Sequence, residues 1–234
     1  MKRAVFVILA VFLSAFTAFP QGESPTVEDV YLSTRMEVNI ISELALGDTR
    51  EQKLAALDIL EQMMGDGRVS TGDIEVHNVL AGLAAEGTTR MVRENNRLIN
   101  YFPDVRRRAA KLLGELGGEN ARDTLIEIAN SDDEPMVLAQ AVYGLGVIGI
   151  NDNNESLKAI ASVIDSDSKR PVPDNNLAVA SLLAIERIAE KNGGFPDEPD
   201  PRFVFRSIIA VQQGNYSSNV RSWAELLLDK LRKY

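Results

Sequence analysis

The sequence predicts an all-α protein built from about four to five tandem helical hairpins. Three observations lead there. Apolar residues recur at spacings of three and four, the period of one helix face. Examples are Leu54, Leu57, Leu60 and Met64; Ala109, Leu112, Leu113 and Leu116; and Leu182, Ile185, Ile188 and Ala189. No stretch shows sustained period-two alternation of β-branched residues. The chain also repeats itself, the signature of a stacked array.

The repeat is clearest at an offset of 32 residues. Pro103-Asp-Val-Arg-Arg-Arg-Ala-Ala-Lys-Leu-Leu-Gly-Glu-Leu-Gly117 aligns with Pro135-Met-Val-Leu-Ala-Gln-Ala-Val-Tyr-Gly-Leu-Gly-Val-Ile-Gly149. Pro103 meets Pro135, Val105 meets Val137, Ala109 meets Ala141 and Gly117 meets Gly149. The register runs on through Leu125 and Leu157, Ile128 and Ile160, so two helices repeat as one unit. Further copies place Leu177, Ser181 and Ile185, then Val220, Ala224 and Leu228, in the same frame, and an earlier one places Ala56 on Ala109. A small residue at Ala109, Ala141 or Ala224 permits close helix approach. Gly117 and Gly149 suit the left-handed conformation that ends a helix.

The elements follow in order. Residues 1–22 look like an export signal: Lys2 and Arg3, an uncharged and mostly apolar run over 4–19, then small residues. The other reading is an uncleaved N-terminal anchor, although the run is short for a span of about 20 residues. Residues 23–48 hold a helix at 26–46 that caps the stack, and 49–234 form the repeat region. Helix pairs are expected at 49–64 with 72–86, 104–116 with 119–130, 136–148 with 154–164, and 176–191 with 201–213. A last helix covers 218–232. Pro171, Pro173, Pro196, Pro199 and Pro201 mark the longest connections.

The runs at 103–117 and 135–149 resemble the HEAT-repeat family in its short bacterial form. That resemblance extends over about 49–234 and implies a right-handed α-α superhelix, a solenoid whose surfaces hold other proteins. It also implies that Arg106 and Arg221, each following a valine (Val105, Val220), support a structural ladder. The longer spacings at 86–102 and 165–176 depart from the family pattern, as does the missing terminal glycine in the last two copies.

Composition narrows the chemistry. The chain has 234 residues, 45% apolar, with no cysteine and one histidine. Disulfides, thiolate metal sites and a thiol nucleophile are excluded, and no cysteine is present for a lipid anchor. The formal charge is −9, and loss of residues 1–22 would remove Lys2 and Arg3 and no acid, giving −11. Phosphate backbones repel such a chain, so nucleic acid is not an expected partner. Neither metal nor cofactor is expected, and membrane contact is expected only through an uncleaved N-terminal segment.

Several motifs have a plain reading beside a functional one. Gly144-Leu-Gly146-Val-Ile-Gly149 matches a dinucleotide fingerprint, which has meaning only between a strand and a helix; here the repeat predicts a helix end. Asn151-Asp-Asn-Asn-Glu155 and Asp165-Ser-Asp167-Ser lack the glycine and closing glutamate of a calcium loop and read as turns. His77 lacks a second imidazole or an evident serine partner. Trp223 reads as core, or as an interface anchor. The unusual feature is a basic segment: residues 90–111 carry a local charge of +5. Arg90, Arg93 and Arg97 fall at i, i+3 and i+7, the spacing of one helical face. Arg93, Arg97, Arg107 and Arg108 are candidate contacts to an acidic segment of a partner, and the plainer reading is ion pairs to neighbouring repeats.

The expectation is therefore a periplasmic or secreted interaction scaffold without catalytic activity. The alternatives are an assembly chaperone for another exported protein or, less favoured, a HEAT-like lyase-type enzyme.

Overall fold

The computed structural model describes residues 27–195 and 200–233, with side chains from residue 36 onward. The expected export signal and the 196–199 break lie outside the described residues. The chain divides into two units, residues 1–36 and 37–234, and the second carries the repeats.

Ten α-helices occur among the described residues: α1 (Val27–Leu46), α2 (Arg50–Gly65), α3 (Ile74–Ala84), α4 (Pro103–Leu116), α5 (Gly118–Ser131), α6 (Pro135–Ile148), α7 (Glu155–Ser168), α8 (Asn175–Asn192), α9 (Arg202–Gln213) and α10 (Ser218–Leu231). Between α3 and α4 lies a small antiparallel ribbon, β1 (Arg93–Glu94) with β2 (Arg97–Leu98).

Helices start where their sequences allow. Thr49 and Gln52 form a reciprocal capping box on α2. Asp73 and Asp174 cap α3 and α8. Proline opens α4 and α6, where its missing N–H costs no helical bond.

Each hairpin contributes its first helix to one layer and its second to another. The first layer runs α2, α4, α6, α8, α10, and the second runs α3, α5, α7, α9, with neighbours in contact along both. One continuous core threads the stack, from Val38 and Ile41 through Leu57, Leu113, Leu145 and Ile185 to Leu227. Each hairpin buries its apolar face only against its neighbours, the arrangement that makes a solenoid.

Glycines set the spacing of the first layer. A Cβ on Gly114 would lie 2.8 Å from Gly144 Cα, and one on Gly146 would lie 2.6 Å from Ala184 Cα. Backbones therefore meet directly where α4 crosses α6 and where α6 crosses α8. The fingerprint-like glycines at 144 and 146 are these crossing points, and Gly149 ends α6 with φ 72° and ψ 4°, as expected for a helix stop. Gly117 differs from expectation. Its φ is 74° but its ψ is −171°, because it ends α4 and begins α5 in a single residue. The glycine missing from the frame in α8 is displaced rather than absent: the helix runs on, and Gly193 stops it in the left-handed region.

Buried polar rungs tie the first helix of a hairpin to the end of its second, and one of them also reaches the hairpin before it. Lys53 occupies the repeat position of Arg106, and both are buried. Lys53 donates to Glu86 and to Ala45 O, each at 2.9 Å. Arg106 grips Asp132 with two donors at 2.6 and 3.1 Å and donates to Glu86 O at 3.1 Å. In the next copy the cation becomes Leu138, and buried Asp167 is instead met by Tyr216 Oη at 3.0 Å and the Asp174 N–H. Arg221 departs from the ladder reading: it is exposed, and no carboxylate among the described residues lies within ion-pair distance.

The rungs and the crossings can be tested by substitution. Arg106→Ala strands a buried Asp132 carboxylate and should cost about 3–5 kcal/mol in chemical denaturation, whereas the paired Arg106→Met/Asp132→Leu exchange should recover most of it. Alanine favours a helix over glycine by about 1 kcal/mol. Gly82→Ala, which meets nothing within 4 Å, should accordingly stabilise, while Gly114→Ala should destabilise by about 1–3 kcal/mol through overpacking.

Candidate functional site

The repeat frame fixes which residues share the outward surface of the first layer. Arg107, Lys111 and Glu115 of α4 correspond to Ala139, Tyr143 and Val147 of α6, and then to Val179, Leu183 and Arg187 of α8. The row thus changes character along the stack. On α2 it reads Leu54, Asp58 and Gln62, with one acid; it is basic on α4 through Arg107 and Lys111, and apolar across α6 and half of α8.

Helix α6 has no charged residue on any side. A helix apolar all round is ordinarily buried. Here Met136 is 53% exposed and Tyr143 36%, with Val179 of α8 also at 36%. The two helices share one surface. The Arg187 guanidinium of α8 lies 4.5 Å from the centre of the Tyr143 ring, an attractive cation–π arrangement. A shallow groove of ≈ 350 Å³ between them is lined by Tyr143, Gly146, Val147, Arg187, Glu190 and Lys191. Met136, Tyr143 and Arg187 are residue types enriched at protein interfaces, while Glu190 and Lys191 form a charged rim to the groove.

The basic side of this face is mostly engaged. Arg108 pairs with Asp58 at 2.7 Å and Glu61 at 2.8 Å, and Lys111 pairs with Glu61 and Glu115. Arg108 therefore ties α4 to α2, the plainer of its two sequence readings. Hydrogen bonds from Lys111 and then Arg108 hold the Glu61 carboxyl below its ordinary range. Arg107 is exposed, and no carboxylate among the described residues lies within ion-pair distance of it or of Arg187.

Arg93 and Arg97 are not on a helix. They flank the turn of the β-hairpin, where Asn95 and Asn96 have φ of 47° and 66°. Two consecutive positive φ values make the turn that suits a two-residue hairpin, and asparagine tolerates them better than most residues. The i, i+3, i+7 spacing is therefore coincidental, and Arg90, Arg93 and Arg97 do not form one helical face.

The remaining motifs take structural places. His77 Nε2 lies 3.0 Å from Thr124 Oγ1 and 3.1 Å from Asn120 O, linking α3 to α5. Asn151 bonds Asn154 and caps the Leu157 N–H. Trp223 packs partly buried against the core. Among the described residues no group of three or more histidine or acidic side chains is arranged to hold a metal ion, and no helix is long and apolar enough to cross a membrane.

The α6 surface has a sequence signal of its own. Its 14 residues without a charge stand out in a chain that is 25% charged, but the basic segment beside it is the louder feature and points to the arginines instead.

Glu61 has a depressed folded pKa, so its stabilising pairs are fully present above its ordinary value of 4.5 and fade as the pH falls through the lower folded value. Glu61→Gln should therefore lose stability at neutral pH and show a smaller drop in melting temperature between pH 5 and pH 2 than the parent chain.

Residues 96–175 match the family model for HEAT repeats. No curated protein matches the chain.

Proposed function

We propose that this chain, whose residues 96–175 match the family model for HEAT repeats, is an exported scaffold of the cell envelope that holds a protein partner on its first-layer face. The observation that carries the reading is the solvent-facing surface of α6 with no charge, placed between the arginines of α4 and Arg187 of α8, which stacks on Tyr143. A partner segment with apolar side chains at its centre and an acidic end fits this order. The apolar side chains cover Met136, Tyr143 and Val179, and the acids face Arg107. Tyrosine and arginine at the middle of such a surface are the residue types that carry most binding energy.

Export rests on Lys2, Arg3 and the apolar run at 4–19. A periplasmic or secreted scaffold needs no catalytic group, and buried Lys53, Glu86 and Arg106 are engaged with one another's helices rather than with an open cavity. Holding a partner permanently, rather than briefly as an assembly chaperone would, agrees with a face that is built on rigid helices and backbone-to-backbone crossings.

The test is isolation of the tagged chain from the periplasmic fraction with its bound partner, followed by affinity measurement. Tyr143→Ala should weaken binding by about 2 kcal/mol, the threshold of an interface hot spot, and Met136→Asp should weaken it further. Arg221→Ala, outside the face, should have no effect. Equal binding by the Tyr143 variant, or retention of the chain in the cytoplasm, would overturn the reading.

A further inference from the structure

The pair of Arg187 and Tyr143 has a twin elsewhere in the chain. At the start of α4 the Arg106 guanidinium lies 4.8 Å from the centre of the Tyr101 ring. That pair is engaged with one acidic stretch, Asp132-Asp133-Glu134. Arg106 takes the Asp132 carboxylate with two donors, at 2.6 and 3.1 Å, and the Tyr101 hydroxyl donates to Glu134 at 2.6 Å. An arginine over a tyrosine ring here holds two carboxylates two residues apart, with Pro135 and Met136 following them.

Arg187 and Tyr143 present the same pair on the outward surface, with the guanidinium 4.5 Å from the ring centre. Arg187 is half-buried and Tyr143 exposed. Among the described residues no acceptor takes an Arg187 N–H, and the Tyr143 hydroxyl has no hydrogen-bond partner. A guanidinium drawn to a ring face keeps its N–H donors, which match a carboxylate two at a time.

The surrounding charges leave this pair as the cationic end of the groove. Glu186 and Glu190 of α8 turn toward α10, where Lys230 meets both at 2.6 Å. Glu190 also reaches the groove's edge. Lys191 is tied to the end of α6, its Nζ donating to the carbonyl of Val147 and, at 3.3 Å, to that of Ile148. Arg187, Lys191 and Lys230 together outweigh Glu186 and Glu190 by one positive charge, in a chain of net charge −9. Gly146 and Val147 add an apolar wall beside the pair.

We propose that Arg187 and Tyr143 read an Asp-x-Glu stretch of the partner protein: the guanidinium forks the aspartate, the tyrosine hydroxyl donates to the glutamate, and the apolar residues that follow lie on α6. The inference rests on the α6 face as the docking surface. It adds a second acidic contact on the side of that face away from Arg107, and it gives the contact a sequence.

Nuclear magnetic resonance titration of the full labelled chain tests it. The probe is the peptide Ser-Asp-Asp-Glu-Pro-Met-Val-Leu, copied from residues 131–138 and blocked at both ends. Its neutralised counterpart carries Asn for the first Asp and Gln for the Glu. The acidic peptide should shift amides at 143–147 and 187–191 and bind about fivefold more tightly than its counterpart, the upper end for an ion pair open to water. Added salt should narrow that gap. Arg187→Gln should weaken the acidic peptide by about the same factor and leave the counterpart unchanged. Tyr143→Phe, which keeps the ring and loses the hydroxyl, should narrow the gap in part, and Arg221→Gln should alter neither peptide. Equal affinity of the two peptides for the parent chain, or an Arg187→Gln variant that weakens both alike, would overturn the acidic contact and leave the α6 face standing. Failure of both peptides to shift α6 would overturn the contact and the face together.

Discussion

The close approach of α4, α6 and α8 through Gly114, Gly144 and Gly146 is the constraint on which the rest of the structure depends. Helices separated only by backbone atoms have little freedom to slide, because any Cβ at these crossings meets its neighbour below ordinary contact distance. The crossings therefore fix the register of three successive repeats. Register decides which residues face outward, and so the same glycines that pack the core also align Lys111, Tyr143 and Leu183 in one row. The outward apolar surface of α6 is a consequence of core geometry rather than a feature added to it.

Charge does a different task. The apolar spine sets how the hairpins stack, while buried rungs secure their connections. Lys53 with Glu86, Arg106 with Asp132, and Tyr216 with Asp167 each reach from a first-layer helix, or the loop before it, to the end of a second-layer helix. Such pairs contribute little net stability compared with apolar packing. Their value here is positional, and the clearest case is Glu86. One carboxylate receives Lys53 on one oxygen and Asn100 on the other, so the mount of the β-hairpin is part of the first rung. The β-hairpin is thus anchored by the same carboxylate that closes the first repeat.

The helices are legible in the sequence because their signals are local and reinforced by repetition. The copy at 135–149 vouches for the one at 103–117, and both end in glycine. The hairpin is less legible, since two-residue strands carry too few residues for a period-two pattern, and only Asn95-Asn96 announces the turn. Arg108 can be placed at a helix surface but not matched to Asp58 and Glu61, whose sequence separations of about fifty residues leave no local trace. Arg221 shares the valine-arginine signature of Arg106 without its partner. A rung needs a carboxylate at the end of a second helix, and that half of the pair is not encoded beside the arginine.

Native-state hydrogen exchange measured helix by helix is the most direct test of the central claim that hairpins are stabilised by their neighbours through glycine crossings. The account predicts slowest exchange in α4, α6 and α8, with protection declining through α2 and α10, and a selective loss in α4 and α6 when Gly114 becomes alanine. Uniform protection from α2 to α10, unchanged by that substitution, would contradict it.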